Sequence, residues 1–92
     1  MRTKVINVYK EPCDICIMRP SILGNQFVIG RDGTREEVVA KHKAELDKRS
    51  RSIEWYDLKY IEAVLNLKGK KIGCCCAPLS CHGDNYVEFL EG

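Results

Sequence analysis

The feature that most limits the fold is the stretch Lys70-Lys71-Ile72-Gly73-Cys74-Cys75-Cys76-Ala77-Pro78-Leu79-Ser80-Cys81-His82-Gly83-Asp84. Ile72 to Cys76 is short, apolar and preceded by Gly69, the pattern of an internal β-strand. Pro78 lacks a backbone donor and stops the strand. Tyr86-Val87 and Phe89-Leu90 follow Gly83-Asp84 at helical spacing, so a short helix is expected to begin near Cys81. A helix start leaves N–H groups unpaired and carries partial positive charge. Such a place binds anions and lowers the pKa of a thiol. Four of the six cysteines and one of the two histidines fall in this stretch, which makes it the candidate site.

The chain has 92 residues, and residues 1–92 are read as a single domain. A chain of this size buries roughly 60–65% of its unfolded surface, so its core is thin. A homodimer, a metal or a bound ligand could supplement it. Hydrophobic residues make up 45% and charged residues 30%, which is globular rather than disordered composition. The net charge of +2 is too mild for a dedicated nucleic-acid surface, so nucleic acid is not the expected partner. No apolar run reaches the length of a membrane span, and no apolar signal core follows Met1-Arg2-Thr3-Lys4. The expected location is therefore the cytoplasm, with reduced thiols. Crowding of the cysteines argues against a disulfide framework.

Taken in order, Lys4 to Tyr9 is rich in β-branched residues and reads as the first strand. Cys13-Asp14-Ile15-Cys16 follows, a C-x-x-C that fits half a zinc site, a redox pair or two small apolar residues near a turn. Arg19-Pro20-Ser21 and Gly24-Asn25 are loop signals, and Phe27-Val28-Ile29 reads as a second short strand. Arg19, Ser21 and Asn25 are polar residues in an otherwise apolar stretch. They fit either turn chemistry or contacts to a phosphate, carboxylate or base edge. Thr34 and Glu37 form a capping box that opens a helix running to about Arg49. Val38, Val39, His42 and Leu46 share one stripe, with His42 as a packed core histidine. Asp47 to Arg51 is a solvated connection. A second helix spans about Ser52 to Leu67 with Leu58, Ile61, Val64 and Leu65 on one face; Trp55, Tyr56 and Tyr60 are read as core or dimer contacts. Lys68-Gly69 caps it. The alternation predicts an α/β fold: a small sandwich with a short parallel or mixed sheet and helices packed on it. Strands 4–9 and 71–76 are expected to be adjacent and parallel. The Pro12–Asn25 and Cys76–Asp84 loops would then share the carboxyl edge, where ligands bind in such sheets.

Along a strand, Cys74 and Cys76 point to one face and Cys75 to the other. Three chemistries remain open. Zinc could take Cys74, Cys76, Cys81 and His82, with Cys13 and Cys16 as substitutes. Cys81 could be a nucleophile or ligand contact, with His82 as base. The cysteines could also be small buried hydrophobes beside a helix cap.

These residues resemble a family of short bacterial and phage proteins known only as a domain of unknown function. The shared segments stand here as Arg19-Pro20-Ser21, Gly24-Asn25-Gln26-Phe27, Gly30 to Glu37, and Leu67 to Asp84, ending in Cys-x-Cys-Ala-Pro-x-x-Cys-His-Gly-Asp. The chain departs at Gln26, where the family tends to have Pro, and at Cys75, where it tends to have Trp; Cys75 is accordingly expected to face the core. Cys13 and Cys16 are not part of the family pattern. The resemblance implies a pocket at a strand–loop–helix junction and supplies no activity. The expected function is binding of a small anionic or nucleotide-like molecule. The pocket would be built from Arg19, Ser21, Asn25, Cys76, Cys81, His82, the N–H groups near Gly83, and Asp84. If a reaction follows, Cys81 or Cys76 is the nucleophile and His82 or Asp84 moves protons. The alternative is a zinc-stabilised module for protein or nucleic-acid interaction.

Overall fold

The computed structural model describes every residue except Met1, Pro20 and Pro78, so the strand stop expected at Pro78 lies outside the described residues. Six elements follow one another: β1 (Lys4–Asn7), β2 (Ile15–Cys16), α1 (Arg35–Ser50), α2 (Trp55–Leu65), β3 (Lys71–Cys74) and α3 (His82–Glu91). The sheet is wholly parallel, in the order β1-β3-β2. Ile72 of β3 stands opposite Val5 of β1 on one side and Ile15 of β2 on the other. The α/β class and the parallel pairing of the first and last strands are as the sequence predicts.

The second strand is not where the apolar run placed it. Phe27-Val28-Ile29 makes a single bridge, from Ile29 to Gly33, and otherwise folds as turns. The Asn25 carboxamide oxygen accepts from Phe27 N–H at 2.9 Å, and the Asp32 carboxylate accepts from Val28 N–H at 2.8 Å. These local side-chain bonds outcompete a ladder. The strand forms instead at Ile15–Cys16, inside the C-x-x-C, because β3 offers it a free edge.

β1 stops early. Lys10 and Glu11 N–H groups turn back onto the Asn7 carbonyl, which ends β1 at Asn7 rather than Tyr9. The Asn7 side-chain amide then donates to the Ala77 carbonyl at 2.8 Å and ties the cysteine-rich loop to the end of β1. Gly73 lets Cys13 pack against the sheet: a Cβ there would lie 2.5 Å from Val8 Cγ1 and 2.6 Å from Cys13 Sγ. Cys13 is thus a packing residue.

Helix α1 begins with the expected capping box, in which Thr34 Oγ1 accepts from Glu37 N–H while Glu37 accepts from Thr34 N–H. Val38, His42 and Leu46 face inward at i, i+4 spacing. Helix α2 starts at Trp55, later than Ser52, because the Ser52 hydroxyl accepts from Glu54 N–H and closes a turn first. Its buried face is Tyr60 and Val64, continued by Leu67. Leu58 and Leu65, expected on that face, are 53% and 57% exposed, and Trp55 is 68% exposed. The run of apolar residues surrounds the helix, so its periodicity left the inward direction ambiguous; the Arg49–Asp57 ion pair at 2.7 Å and the Arg49 guanidinium over the Tyr60 ring fix it. Tyr86 of α3 is fully buried beside Tyr60, Leu67 and Ile72. Among the described residues no helix is long and apolar enough to cross a membrane.

Candidate functional site

A cavity of about 440 Å³ opens at the carboxyl edge of the sheet. Its walls come from the loop after β2 (Met18, Arg19), the turns at Asn25 and Phe27–Ile29, the first turns of α1 (Arg35, Val38, Val39), and the β3–α3 junction (Cys74 to Cys76, Ser80 to His82). A wider, shallow groove of about 620 Å³ runs along α2 between Lys59 and Asn66, and among the described residues no thiol or imidazole lines it.

Several residues singled out in the sequence meet in this cavity and others do not. Arg19 lines it, with Nη1 donating to the Asn25 carbonyl at 3.3 Å. Asn25 lines it too, but its amide is already engaged: Oδ1 accepts from Phe27 N–H and Nδ2 donates to the Val38 carbonyl. Cys76, Cys81 and His82 contribute to the wall. Ser21 does not; its hydroxyl accepts from Leu23 N–H and shapes the turn. Gly83 sits behind the wall, where a Cβ would come within 2.9 Å of both Ile17 and Val5. The Asp84 carboxylate is used for capping and accepts from Cys81 N–H at 3.1 Å. Arg35, missed in the sequence, lines the cavity and donates to the Ser80 carbonyl at 3.1 Å. The signal for it was its place as the first residue after the Thr34 cap, at a helix start on the same edge.

Cys81 is the N-cap of α3, and its carbonyl accepts from the Asp84 N–H at 3.0 Å. The Asp84 carboxylate returns to the Cys81 N–H. A hydrogen bond from the Cys74 thiol lowers the Cys81 pKa below the ordinary thiol value; burial opposes it, and the Gly83 N–H assists it. The same contact, together with burial, pushes the Cys74 thiol up. Cys75 corrects an expectation: it is exposed, and Cys74 is the buried member of the triplet. β3 ends at Cys74, so position 75 lies past the sheet on the rim, and strand alternation no longer governs it. All six cysteines are free thiols.

Cys74, Cys81 and His82 are all buried, and their sulfur and ring-nitrogen atoms lie within 4.8 Å of one another, close enough to hold a metal ion. Cys74, Cys75 and Cys76 form a second such group. The four-residue zinc set predicted from the sequence is therefore split, with Cys76 joined to Cys74 but outside the tight trio. Cys13 and Cys16 belong to neither group among the described residues. His82 Nε2 lies 2.8 Å from the Ile17 carbonyl, so in the neutral ring this nitrogen carries the proton and Nδ1 keeps its lone pair. Burial, with the Arg19 charge adding to it, lowers the His82 pKa against the pull of the Ile17 and Leu23 carbonyls.

Beneath the trio runs a closed polar network. Asn85 Nδ2 donates to His42 Nδ1 at 3.0 Å and to the Val39 carbonyl at 2.8 Å. His42 therefore carries its proton on Nε2, which donates to Tyr86 Oη at 3.1 Å. Tyr86 donates to the Leu23 carbonyl at 2.9 Å, so Tyr60 is the donor in the 2.7 Å bond between the two hydroxyls. This assignment leaves no acceptor for a second His42 proton. Burial, with His82 nearby, lowers its pKa from the usual 6.5 to about 3. A histidine held neutral in the folded state leaves the unfolded chain binding the extra proton between those values. Stability is then fully present above about pH 6.5 and falls as the pH drops through that window. Urea unfolding at pH 5.5 should show a free energy lower by about 1 kcal/mol than at pH 7 from His42 alone, with His82 acting in the same direction. Equal stability at the two values would contradict the neutral assignment.

A family model described as Domain of unknown function (DUF4326) matches residues 2–92. The chain is also similar to an uncharacterised 12.4 kDa protein from the nrdA-td intergenic region of Enterobacteria phage T4. The two are 35% identical over 89 residues, which covers 96% of this chain and 77% of the phage protein. No solved structure matches the chain. A match across essentially the whole chain, together with the phage relative, shows that this α/β protein belongs to the DUF4326 family.

Proposed function

We propose that this protein binds a small anionic, nucleotide-like molecule in the cavity at the carboxyl edge of its sheet. The observation that carries this is the pairing of two guanidinium groups, Arg19 and Arg35, on one 440 Å³ cavity that also holds apolar surface from Met18, Phe27, Val28 and Ile29. Guanidinium forks suit phosphate and carboxylate, and a mostly apolar wall suits a planar ring. Phosphate would lie between the arginines and the base against Phe27 and Val28. If a reaction follows, Cys81 is its nucleophile, since this residue lines the cavity at a helix start. Cys76 is the second thiol in reach. Asp84 is committed to capping and does not move protons, while His82 offers only the Nδ1 lone pair. The domain would work in the cytoplasm, where its thiols stay reduced. Exposed Trp55 and Tyr56 offer a surface for a homodimer contact.

Calorimetric titration with nucleoside mono- and diphosphates tests the proposal. Arg19→Ala and Arg35→Ala should each weaken the best ligand about tenfold or more, the scale of a lost hydrogen bond to a charged group, with the fold retained. Binding of no nucleoside phosphate, or affinity unchanged in both variants, contradicts it.

A second proposal is favoured by one specific observation, the burial of Cys74, Cys81 and His82 within 4.8 Å of one another. Two thiolates and one imidazole suit zinc, with the fourth position open toward the cavity. The carbonyl bond to the other ring nitrogen of His82 is the outer contact that orients a metal-bound histidine. Zinc would then join β3 to α3 and stabilise a module for protein or nucleic-acid interaction. Protein purified without added zinc should contain about one metal ion per chain and lose thermal stability on chelation. Cys81→Ser should abolish both effects. Metal content at the buffer level contradicts this reading.

A further inference from the structure

Cys74 closes β3 and Cys81 opens α3, and their sulfurs lie within 4.8 Å. Both residues are buried from bulk solvent but line the cavity, which is the route by which a small oxidant would approach them. The two are not equivalent. The Cys81 side chain stands at the N-terminus of α3, the end where the helix dipole favours negative charge. Cys74 stands at the end of β3, and its sulfur lies against that of Cys81. The other thiols are differently placed. Cys13 packs over Gly73, Cys16 is exposed at the end of β2, and Cys75 and Cys76, 4.0 Å apart, are neighbours in sequence.

We propose that Cys81 and Cys74 are a reversible dithiol pair, in which Cys81 is oxidised first and Cys74 resolves it to a disulfide. With hydrogen peroxide as the oxidant, the Cys81 thiolate attacks one oxygen. An S–O bond forms, the O–O bond breaks, and the departing hydroxide takes a proton to become water. Cys74 gives up its proton and attacks the Cys81 sulfur. The S–S bond forms, the S–O bond breaks, and hydroxide leaves to become a second water. Overall two thiols are oxidised, peroxide is reduced, and two waters are released. Closing the sulfurs to the roughly 2.05 Å of a disulfide requires side-chain rotation into the cavity. A low-molecular-weight disulfide reaches the same product by two thiol exchanges. Because neither sulfur remains a thiolate, the oxidised pair can no longer serve the Cys74–Cys81–His82 trio. That consequence rests on the metal reading, whereas the disulfide itself rests only on the geometry of the two thiols.

The test uses the full chain after incubation with a chelator. It is treated with limiting peroxide, free thiols are blocked with one alkylating label, and the protein is reduced and labelled with a second. Fragmentation then locates the second label. All four cysteines from 74 to 81 share one tryptic peptide, so localisation must come from fragment ions. The second label is expected at Cys74 and Cys81 together, at least about tenfold above Cys16. In Cys74→Ser, Cys81 should instead accumulate as a sulfenic acid that a dimedone probe captures; in Cys81→Ser, Cys74 should stay reduced. The wild-type pattern is the primary readout, so a variant that fails to fold does not remove the test. First oxidation at Cys75–Cys76 or Cys13–Cys16 with Cys81 still free overturns the proposal, as does the absence of any oxidised pair. Binding of a nucleoside phosphate by the reduced protein is measured separately, so failure of the dithiol and failure of the anion pocket are distinguishable.

Discussion

The structure depends on satisfying one buried hydroxyl. Tyr86 is fully buried, and its oxygen is bonded to His42 of α1, Tyr60 of α2 and the Leu23 carbonyl of the β2–α1 connection. Leaving such a group unpaired costs about 1–3 kcal/mol, so α3 is held where all three partners can reach it. That choice fixes the start of α3, because Asn85 beside Tyr86 is bonded to His42 and to the Val39 carbonyl. Gly83 completes the placement, since a Cβ there would come within 2.9 Å of the Ile17 and Val5 side chains, which would have to shift for α3 to close on them. The position of Cys81 and His82 at the carboxyl edge of β3 follows from these contacts and not from the cysteine-rich loop itself.

The site combines groups of opposite electrostatic demand. Arg19 and Arg35 attract an anion, while a thiolate at Cys81 would repel one. Neutral His42 and His82 add no charge to this balance, because burial holds both below their ordinary pKa. An anion between the arginines therefore favours the protonated form of Cys81, and a soft cation on Cys74, Cys81 and His82 favours the thiolate. Ligand and metal, if both bind, are coupled through the protonation of one sulfur.

Much of this arrangement was legible in the sequence where a local signal had one physical meaning. Thr34 with Glu37 signalled a helix start, and the apolar run from Ile72 after Gly69 signalled a short internal strand, which ends at Cys74 rather than Cys76. The juxtaposition of the Arg19 loop with Cys81 followed from the parallel topology. What the sequence hid depends on tertiary partners. Ile15–Cys16 is a strand only because the edge of β3 pairs with it, and nothing local distinguishes those two residues. Phe27 to Ile29 has strand propensity, but Asn25 and Asp32 take its N–H groups. The inward face of α2 was set by Arg49 against Asp57 and Tyr60, which periodicity cannot weigh. Cys75 was misplaced because the Trp of the family pattern was read as a core side chain and strand alternation was carried one residue beyond Cys74, where the strand stops. Arg35 was overlooked because it reads as an ordinary first-turn cation until the fold places it over Ser80.

The central claim is that the β3–α3 junction makes Cys81 an activated thiol inside an anion-attracting cavity. The most direct measurement is the pH dependence of its alkylation rate in a variant that keeps only Cys74 and Cys81, followed with and without added inorganic phosphate. The account predicts a midpoint below the ordinary thiol value of about 8.5, moving upward when phosphate occupies the cavity. A midpoint at or above that value, unmoved by phosphate, would contradict it.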